Sequence, residues 1–321
     1  MANIKDIAKK AGVSVSTVSY ALNGSPKVTD ETSARIIAIA KELQYVPNAA
    51  ARNLKKQETK IIGAFLSDFS GPFYGDLLQG MKEGVNQSGY DLVVCSGEQS
   101  HRLLPERMID GAIVLDETFS SEKLLNYAEL GHKLVVLDRD LNHPKINQVL
   151  LDNKAGAMLA VEHVIELGHR KLYVVTGPKG SFDSRQRLQA IKQVISRHPD
   201  LEYIEIEGDF NKSAGTFAGL QIAQEYTEPA AVFCLNDEMA IGMYEYLLTT
   251  DLRIGEDIHL IGFDNIEVSR YVQPRLATIG YSKRKWGLLA SEQLLKLIAG
   301  EYVEHERIYV SLIKGKSMGT V

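Results

Sequence analysis

From residue 61 onward, short apolar runs alternate with segments long enough to form helices. The runs lie at residues 61–66, 92–95, 112–115, 134–137, 171–175, 204–206, 231–235, 258–261 and 277–279. Strands that are apolar along almost their whole length are buried on both faces, which is typical of a parallel sheet covered by helices. The alternation therefore predicts an α/β core, and nine strands are enough for two doubly wound sheets.

This core is predicted to consist of two subdomains of similar plan. We assign residues 61–150 and 282–310 to an N-terminal subdomain, and residues 151–281 and 311–321 to a C-terminal subdomain. In open α/β sheets, ligands bind outside the carboxyl ends of the strands. We therefore expect a ligand-binding cleft between the two subdomains.

The first 46 residues have a different pattern, which predicts three short helices. A residue able to cap a helix N-terminus precedes each of them: Asn3, Ser14 and Thr29. Gly12 ends the first helix, and Pro47 stops the third. Residues 1–46 are therefore predicted to form a separate all-α domain, which residues 47–60 link to the core.

The second of these helices, residues 15–22, has two distinct faces on a helical wheel. Thr17, Val18, Ala21 and Leu22 share one face, and Val15, Ser16, Ser19 and Tyr20 share the other. The first face can pack, whereas the second presents small polar groups and one aromatic ring. This pattern after a glycine-containing turn is typical of the second helix of a helix-turn-helix, which lies in the DNA major groove. A three-helix domain that binds nothing would give the same wheel.

Charge is distributed unevenly along the chain. The whole chain has a net charge of −5, but residues 1–60 carry ten Lys and Arg against five Asp and Glu. The remaining residues therefore have a net charge of −10. A basic N-terminal segment on an acidic body indicates a local nucleic-acid-binding surface.

Enzymatic, metal-binding and membrane functions find little support in the sequence. The glycine-rich segment at residues 176–180 has neither of the usual nucleotide-binding spacings, and no nucleophile–base set is evident. Cys95 and Cys234 lie in apolar runs, which favours buried thiols over a disulfide or a metal site. No signal peptide and no membrane-spanning run is visible. We expect a cytoplasmic protein that is not an enzyme and that has no cofactor, no metal and no membrane partner.

Several longer motifs resemble those of the lactose-repressor/galactose-repressor (LacI/GalR) family of transcription regulators. In the N-terminal domain these are IKDIAKKAGVSVSTVS at residues 4–19, ALNG at 21–24 and YVPN at 45–48. In the core they are DFSGPFY at 68–74, DGAI at 110–113, VVLD at 135–138, DN at 152–153, LGHR at 167–170, NDEMA at 236–240 and IGFD at 261–264. The resemblance covers nearly the whole chain.

This resemblance implies a fold and a function. The fold is an all-α helix-turn-helix headpiece plus an α/β core of two doubly wound parallel-sheet subdomains, similar to periplasmic binding proteins. The function is that of a repressor that binds a pseudo-palindromic operator in double-stranded DNA as a homodimer, under the control of a small effector in the cleft. No heptad pattern follows Val310, so a tetramer built on a C-terminal coiled coil is not expected.

The resemblance also implies which residues contact DNA. Val15, Ser16 and Tyr20 occupy base-reading positions, and Ser14 and Asn23 lie near phosphates. Many family members have Arg where this chain has Tyr20, so we expect a different preferred operator sequence.

A hinge helix at residues 48–54 would pair with that of a second copy and insert Leu54 into the minor groove. A helix this short is marginal alone, so it should order only on DNA. The alternative is that Leu54 simply anchors the linker to the core.

For the core, the resemblance implies an effector site. Its expected residues are Phe73, Tyr74, Asp138, Arg187, Phe210 and Asp237. Carboxylates, a guanidinium and aromatic faces suit a polyhydroxylated ring, so a carbohydrate or a sugar phosphate is the expected effector. In the alternative interpretation, Asp138 and Asp237 cap helices and Phe73 belongs to the core.

Other features leave the nature of the effector open. A basic cluster of Arg139, Arg185 and Lys283 near the cleft would favour an anionic ligand, although solvated charges at the rim are the commoner explanation for such a cluster. Control by a phosphorylated carrier protein is a further alternative, as is a sugar-binding protein without a DNA function. The segment between Cys95 and Asp110 is short for the family, which predicts a truncated helix there.

Overall fold

In the computed structural model, residues 2–46, 58–141 and 143–319 are described, and they belong to two compact units. The first unit is Met1–Glu58, and the second is Thr59–Val321. The predicted hinge helix and its Leu54 lie outside the described residues.

The first unit contains the three predicted helices: α1 (Ile4–Ala11), α2 (Val15–Leu22) and α3 (Asp30–Glu42). The predicted caps are confirmed, because the side chains of Asn3, Ser14 and Thr29 each accept a hydrogen bond from a backbone N–H of the first turn. Ile7, Val18 and Ile36, one from each helix, are fully buried and form the centre of a small core.

The second unit is built on two six-stranded sheets. The first sheet has the order β11-β5-β4-β3-β1-β2, and the second has the order β12-β10-β9-β8-β6-β7. The strands of the first sheet are β1 (Ile61–Leu66), β2 (Asp91–Cys95), β3 (Gly111–Leu115), β4 (Leu134–Val136), β5 (Ile146–Leu151) and β11 (Glu306–Ile308). Those of the second are β6 (Lys171–Val175), β7 (Glu202–Ile206), β8 (Ala230–Cys234), β9 (Ile258–Phe263), β10 (Ala277–Gly280) and β12 (Ser311–Ile313).

Helices connect the strands and cover the sheets. They are α4 (Phe73–Gln87), α5 (Ser121–Glu129), α6 (Asn153–Glu166), α7 (Phe182–Ile195), α8 (Lys212–Glu225), α9 (Asp237–Leu247) and α10 (Lys283–Ala299). Short 3₁₀ helices occur at Glu98–Leu103 and Glu267–Arg270, the first of them in the short segment after β2. None of the described helices combines the length and the apolar character needed to cross a membrane.

Each predicted apolar run forms a strand, but the prediction missed three strands. These are β5, β11 and β12. Because β12 pairs antiparallel with β10, the second sheet has one antiparallel strand, whereas the prediction was a parallel sheet. The strand β5 carries Asn147 and Gln148, which interrupt the apolar run, although both are buried. Asn147 donates to Gln293 of α10 and to the carbonyl of Glu304, and these bonds compensate for its burial. The strands β11 and β12 are only three residues long, too short to show a recognisable pattern.

The two sheets have the same plan, with strand order reversing between β1 and β3 in one and between β6 and β8 in the other. Ligands of doubly wound folds bind at such reversal points, beyond the carboxyl ends of the strands. The chain passes between the sheets after β5, after β10 and after β11, so three segments join the subdomains. The carboxyl ends of both sheets contribute to the site described next.

Candidate functional site

The predicted DNA-contacting residues lie at the surface of the first unit. Ser14, Val15, Ser16, Tyr20 and Asn23 are all exposed, whereas Val18 and Ala21 on the opposite face of α2 are buried. Val15 is 40% exposed and Tyr20 is 38% exposed. The face of α2 that the wheel predicted to be free is therefore free within this unit.

The ends of α2 have specific polar contacts. The Ser14 Oγ accepts from the Thr17 N–H at 3.1 Å, and the Asn23 Nδ2 donates to the Ser19 carbonyl at 2.6 Å. Lys27, which the sequence analysis did not single out, places its Nζ 5.2 Å from the centre of the Tyr20 ring. A cation therefore stands beside the aromatic side chain that occupies the implied base-reading position.

The second unit contains a cavity of about 830 Å³ at the carboxyl ends of both sheets. Five of the six predicted effector residues line it: Phe73, Tyr74, Asp138, Arg187 and Phe210. The first three come from the N-terminal subdomain and the other two from the C-terminal subdomain. Residues far apart in the sequence thus meet at one site, as the cleft prediction requires.

Aromatic rings form walls of the cavity on both sides. Phe73 begins α4, and its ring meets that of Tyr74 edge to face, with 5.1 Å between ring centres. Phe210 has a left-handed backbone (φ 70°), and its ring covers Gly177, where any Cβ would overlap the ring. Burial and the nearby Asp68 carboxylate raise the pKa of Tyr74 to about 12, so its phenol stays neutral. Flat, uncharged faces of this kind suit the C–H surface of a sugar ring.

Arg187 of α7 supplies a fixed positive charge. It is 3% exposed; its Nε donates to Asn153 Oδ1 at 2.8 Å, and its Nη1 donates to the Leu235 carbonyl. Its guanidinium carbon lies 3.6 Å from the centre of the Phe263 ring, and Nη2 lies 3.9 Å from Asp264 Oδ1. Because the Phe263 ring packs against the guanidinium and Asn153 and Leu235 accept its hydrogen bonds, the guanidinium is held in one orientation and is preorganised for a ligand acceptor.

Buried carboxylates complete the polar part of the cavity. Burial raises the pKa of Asp138, although hydrogen bonds from Arg139 oppose this shift. Burial also raises the pKa of Asp183, to about 6, while Arg187 and Asn153 act in the opposite direction. Asp264 has a left-handed backbone (φ 110°), and its Oδ1 accepts from the Tyr281 hydroxyl at 2.8 Å. Strained backbone at a non-glycine residue is concentrated at functional sites, which fits its place in the lining.

Asp237 requires a correction, because it does not line the cavity. It is fully buried, with Oδ1 accepting from Thr278 Oγ1 at 2.6 Å and Oδ2 accepting from the Ile266 N–H at 3.0 Å. Burial and the neighbouring Asp264 raise its pKa to about 8. Nor does Asp237 cap its helix, since Asn236 is the cap of α9.

The residues that take its place in the lining are Asn236 and Asp264. Asn236 stands outside the first turn of α9, whereas Asp237 is the first helical residue and is turned into the core. Both missed residues lie in the NDEMA and IGFD motifs that had already been singled out, so the motifs indicated the site and only the choice of position within them was wrong.

The three residues of the basic cluster that would have favoured an anion donate hydrogen bonds to groups of the protein itself. Arg139 donates to Asp138 and to two carbonyls, Arg185 donates to the Gly180 carbonyl, and Lys283 donates to the Asp264 carbonyl. None of the three is among the described residues that line the cavity. The lining cations are Arg187 and Lys212, and the lining carboxylates are Asp68, Glu117, Asp138, Asp183, Asp209, Glu238 and Asp264. The cavity surface is thus predominantly acidic.

Comparison with known proteins agrees with both units. Residues 3–48 match the bacterial regulatory proteins of the lacI family, and residues 161–318 match a periplasmic binding protein-like domain. The transcriptional repressor PurR of Aliivibrio salmonicida is 35% identical, over 96% of this chain and 95% of its own length. The chain belongs to the lacI family. The ribose operon repressor of Haemophilus influenzae is another relative of this lacI-family chain, 33% identical over 93% of the chain and 92% of its own length.

Solved structures of lacI-family proteins share the fold. A sugar-binding transcriptional regulator from Enterococcus faecalis is 46% identical, with a TM-score of 0.77 over 81% of this chain and 98% of that one. The lac repressor dimer bound to operator and the anti-inducer ONPF is 29% identical, with a TM-score of 0.83 over 99% of both chains. The predicted family and fold class are confirmed. The lacI-family chain is a DNA-binding transcription regulator with a ligand-binding core, and its repressor relatives confirm that it is not an enzyme.

Proposed function

We propose that this lacI-family regulator is a repressor that binds a pseudo-palindromic operator as a homodimer and is controlled by a neutral sugar in the cavity. The observation that carries the proposal is the pairing of aromatic faces with buried carboxylates and one fixed guanidinium around a space of about 830 Å³. Phe73, Tyr74 and Phe210 would cover the C–H faces of the ring. Asp138 and Arg187 would bond to its hydroxyl groups.

The charge of the lining favours a neutral sugar over a sugar phosphate. A phosphate carries close to two negative charges and needs several donors that are not already used. The donors of Arg139 and Lys283 are committed to Asp138 and to the Asp264 carbonyl. Carboxylates can instead accept from hydroxyl groups, which a neutral sugar offers on several carbons.

Among neutral sugars, D-ribose is the first to test. One relative of the chain is a ribose operon repressor, and a relative of known structure is a sugar-binding regulator. A pentose is small compared with the cavity, so closure of the subdomains around it would accompany binding.

A homodimer would match the two half-sites of a palindromic operator. The exposed edge of the first sheet supports such pairing, because β2 is its outer strand and Val93 and Val94 are 39% and 38% exposed. An apolar edge strand is normally covered in the working protein. In this proposal residues 47–60 are the hinge, Leu54 enters the minor groove, and the protein acts in the cytoplasm, where the operator is.

Titration calorimetry and the fluorescence of Trp286 test the effector. Trp286 is fully buried, and its ring lies 5.9 Å from that of the cavity residue Tyr281, so closure should change its emission. We expect D-ribose, or another neutral aldose in a panel, to bind and to change operator affinity, and D-ribose 5-phosphate to bind more weakly. Tight binding of the phosphorylated sugar alone would contradict the proposal.

A further inference from the structure

The N-terminal subdomain contains a side-chain cluster beside the cavity, composed of the buried His101, Asp116 and Phe119 and the partly buried Arg139. We propose that His101 is a positioning residue for the effector site, acting through the turn at residues 116–119 and Arg139 on the Asp138 carboxylate. The inference rests on the proposed function, because it assumes that Asp138 contacts the effector.

The chain of contacts begins at Asp138, which lines the cavity. Arg139 holds this carboxylate with two parallel bonds, Nε to Oδ1 at 2.8 Å and Nη2 to Oδ2 at 2.7 Å. The same guanidinium donates to the carbonyls of Phe119 at 2.9 Å and Asp116 at 2.6 Å. Since a guanidinium is rigid and planar, the positions of these two carbonyls fix the orientation in which its Nε and Nη2 donate to Asp138.

The two carbonyls belong to the ends of one tight turn. The Phe119 N–H donates to the Asp116 carbonyl at 3.1 Å, and the Thr118 N–H and hydroxyl donate to Asp116 Oδ1 at 2.9 and 2.7 Å. Asp116 itself is fully buried and lies between the cavity residues Leu115 and Glu117. A shift of this turn would therefore move both Arg139 and the cavity wall.

His101 touches both ends of the turn. Its Nε2 lies 2.9 Å from Asp116 Oδ2, and its ring stacks on that of Phe119, with 3.9 Å between ring centres and 8° between planes. Because a carboxylate only accepts, Nε2 carries the proton. His101 lies in the 3₁₀ helix at Glu98–Leu103, in the short segment after β2. This segment is where the sequence departs from the family pattern.

The burial of His101 is costly for the fold. Only 3% of the residue is exposed, and its Nδ1 has no hydrogen-bond partner among the residues that the structure describes. A leucine would remove the unpartnered nitrogen but would leave the buried Asp116 Oδ2 without its donor. The bond to Asp116 is therefore what histidine supplies at this position, and it fixes the turn beside the cavity.

The experiment compares His101→Leu with His101→Gln, whose amide nitrogen can reach the place of Nε2 and donate to Asp116. The matched control is His169→Leu, because His169 is also 3% exposed and also has a bonded Nε2 and an unpartnered Nδ1. It precedes β6, at the opposite end of the second sheet from the cavity. D-ribose affinity, or that of the panel sugar bound by the parent protein, is measured with melting temperature.

We expect His101→Leu to weaken sugar binding by about tenfold or more, the size of one lost charged hydrogen bond, and His101→Gln to restore most of the affinity. His169→Leu should lower the melting temperature but leave affinity unchanged. Parental affinity in His101→Leu, or equal losses in both His101 variants, would overturn the proposal. Should His101→Leu fail to fold, Thr118→Val decides, because weaker binding supports the role of the turn and unchanged binding rejects it.

A crystal structure of the soluble variant separates this inference from the identity of the effector. If no sugar binds the parent protein, the proposed function fails, but the position of Asp138 can still be observed. A displaced Asp138–Arg139 pair in His101→Leu, or in Thr118→Val, supports positioning. An undisturbed pair refutes it.

Discussion

The helical unit and the α/β core present their recognition side chains in opposite environments. On α2, Val15 and Tyr20 are 40% and 38% exposed, whereas in the core Asp138 and Arg187 are 6% and 3% exposed. An exposed side chain loses few contacts when it is changed, but a buried polar one leaves its partners unsatisfied. DNA specificity should therefore be separable from stability, whereas effector specificity and stability use the same contacts.

The most severe test of this difference is Arg187→Met. This change removes the buried guanidinium and leaves Asp264 and the Leu235 carbonyl without its contacts. We expect the free energy of unfolding to fall by roughly 3–5 kcal/mol and sugar binding to be lost. Urea unfolding and calorimetry measure both. The control is Lys192→Met, on the same helix but exposed and outside the cavity lining, where each quantity should change by less than about 1 kcal/mol. Normal sugar affinity in Arg187→Met would mean that the site lies elsewhere.

Packing within the core gives the second test, at Gly80 of α4. A Cβ there would overlap the carbonyl oxygen of Arg284 on α10, so the two helices can approach this closely only at glycine. Gly80→Ala should cost roughly 2–4 kcal/mol of unfolding free energy. Gly75→Ala, on the same helix with open space at its Cβ, should be neutral or stabilising by up to about 1 kcal/mol. Equal effects in thermal unfolding would show that helix propensity, and not close packing, sets the stability.

Acid sensitivity that depends on histidine should also be confined to the core, since no histidine occurs in residues 1–58. Burial lowers the pKa of His169 to about 4, with His259 adding to the shift. At His169 the folded chain therefore binds fewer protons than the unfolded chain between pH 6.5 and 4, whereas Asp183 and Asp237, whose pKa values are raised, bind more. The contribution of His169 to stability is complete above about pH 6.5 and is lost as the pH drops to 4, by up to about 3 kcal/mol. Urea unfolding of the parent and His169→Gln proteins between pH 7 and 4 isolates this contribution as the difference between their pH profiles; parallel profiles would assign the pH dependence to other groups.

The smallest effect on stability is expected for Tyr20→Arg on the exposed face of α2. Unfolding free energy should change by less than about 0.5 kcal/mol, because Tyr20 makes few contacts within its unit. Operator preference should shift towards guanine at one position per half-site by about tenfold, since Arg pairs bidentately with guanine. Selection from a randomised operator library measures the shift, with Lys27→Met as the control that removes only the neighbouring cation. An identical consensus from the parent and Tyr20→Arg proteins would show that this residue does not read bases.

Much of the local structure could be predicted from the chain, because it depends on interactions between residues close in sequence. The side chains of Asn3, Ser14 and Thr29 bond to backbone groups two or three residues away, so the starts of the first helices were predictable. The apolar runs of the core likewise predicted their strands. Asn147 in β5 was not predictable, because its burial depends on Gln293 and Glu304, about 150 residues away.

The sequence by itself determined the family, the two-unit organisation and the motifs from which the cavity is built. Only the tertiary structure decided that Asn236 lines the cavity while Asp237 turns into the core, since one residue along a helix rotates a side chain by about 100°. It also decided that Arg139 and Lys283 serve as counter-charges to Asp138 and Asp264 and not as free cations. The net charge of a segment can be counted from its sequence. Whether a charged side chain is free to bind a ligand depends on the distant groups to which it already donates in the folded protein.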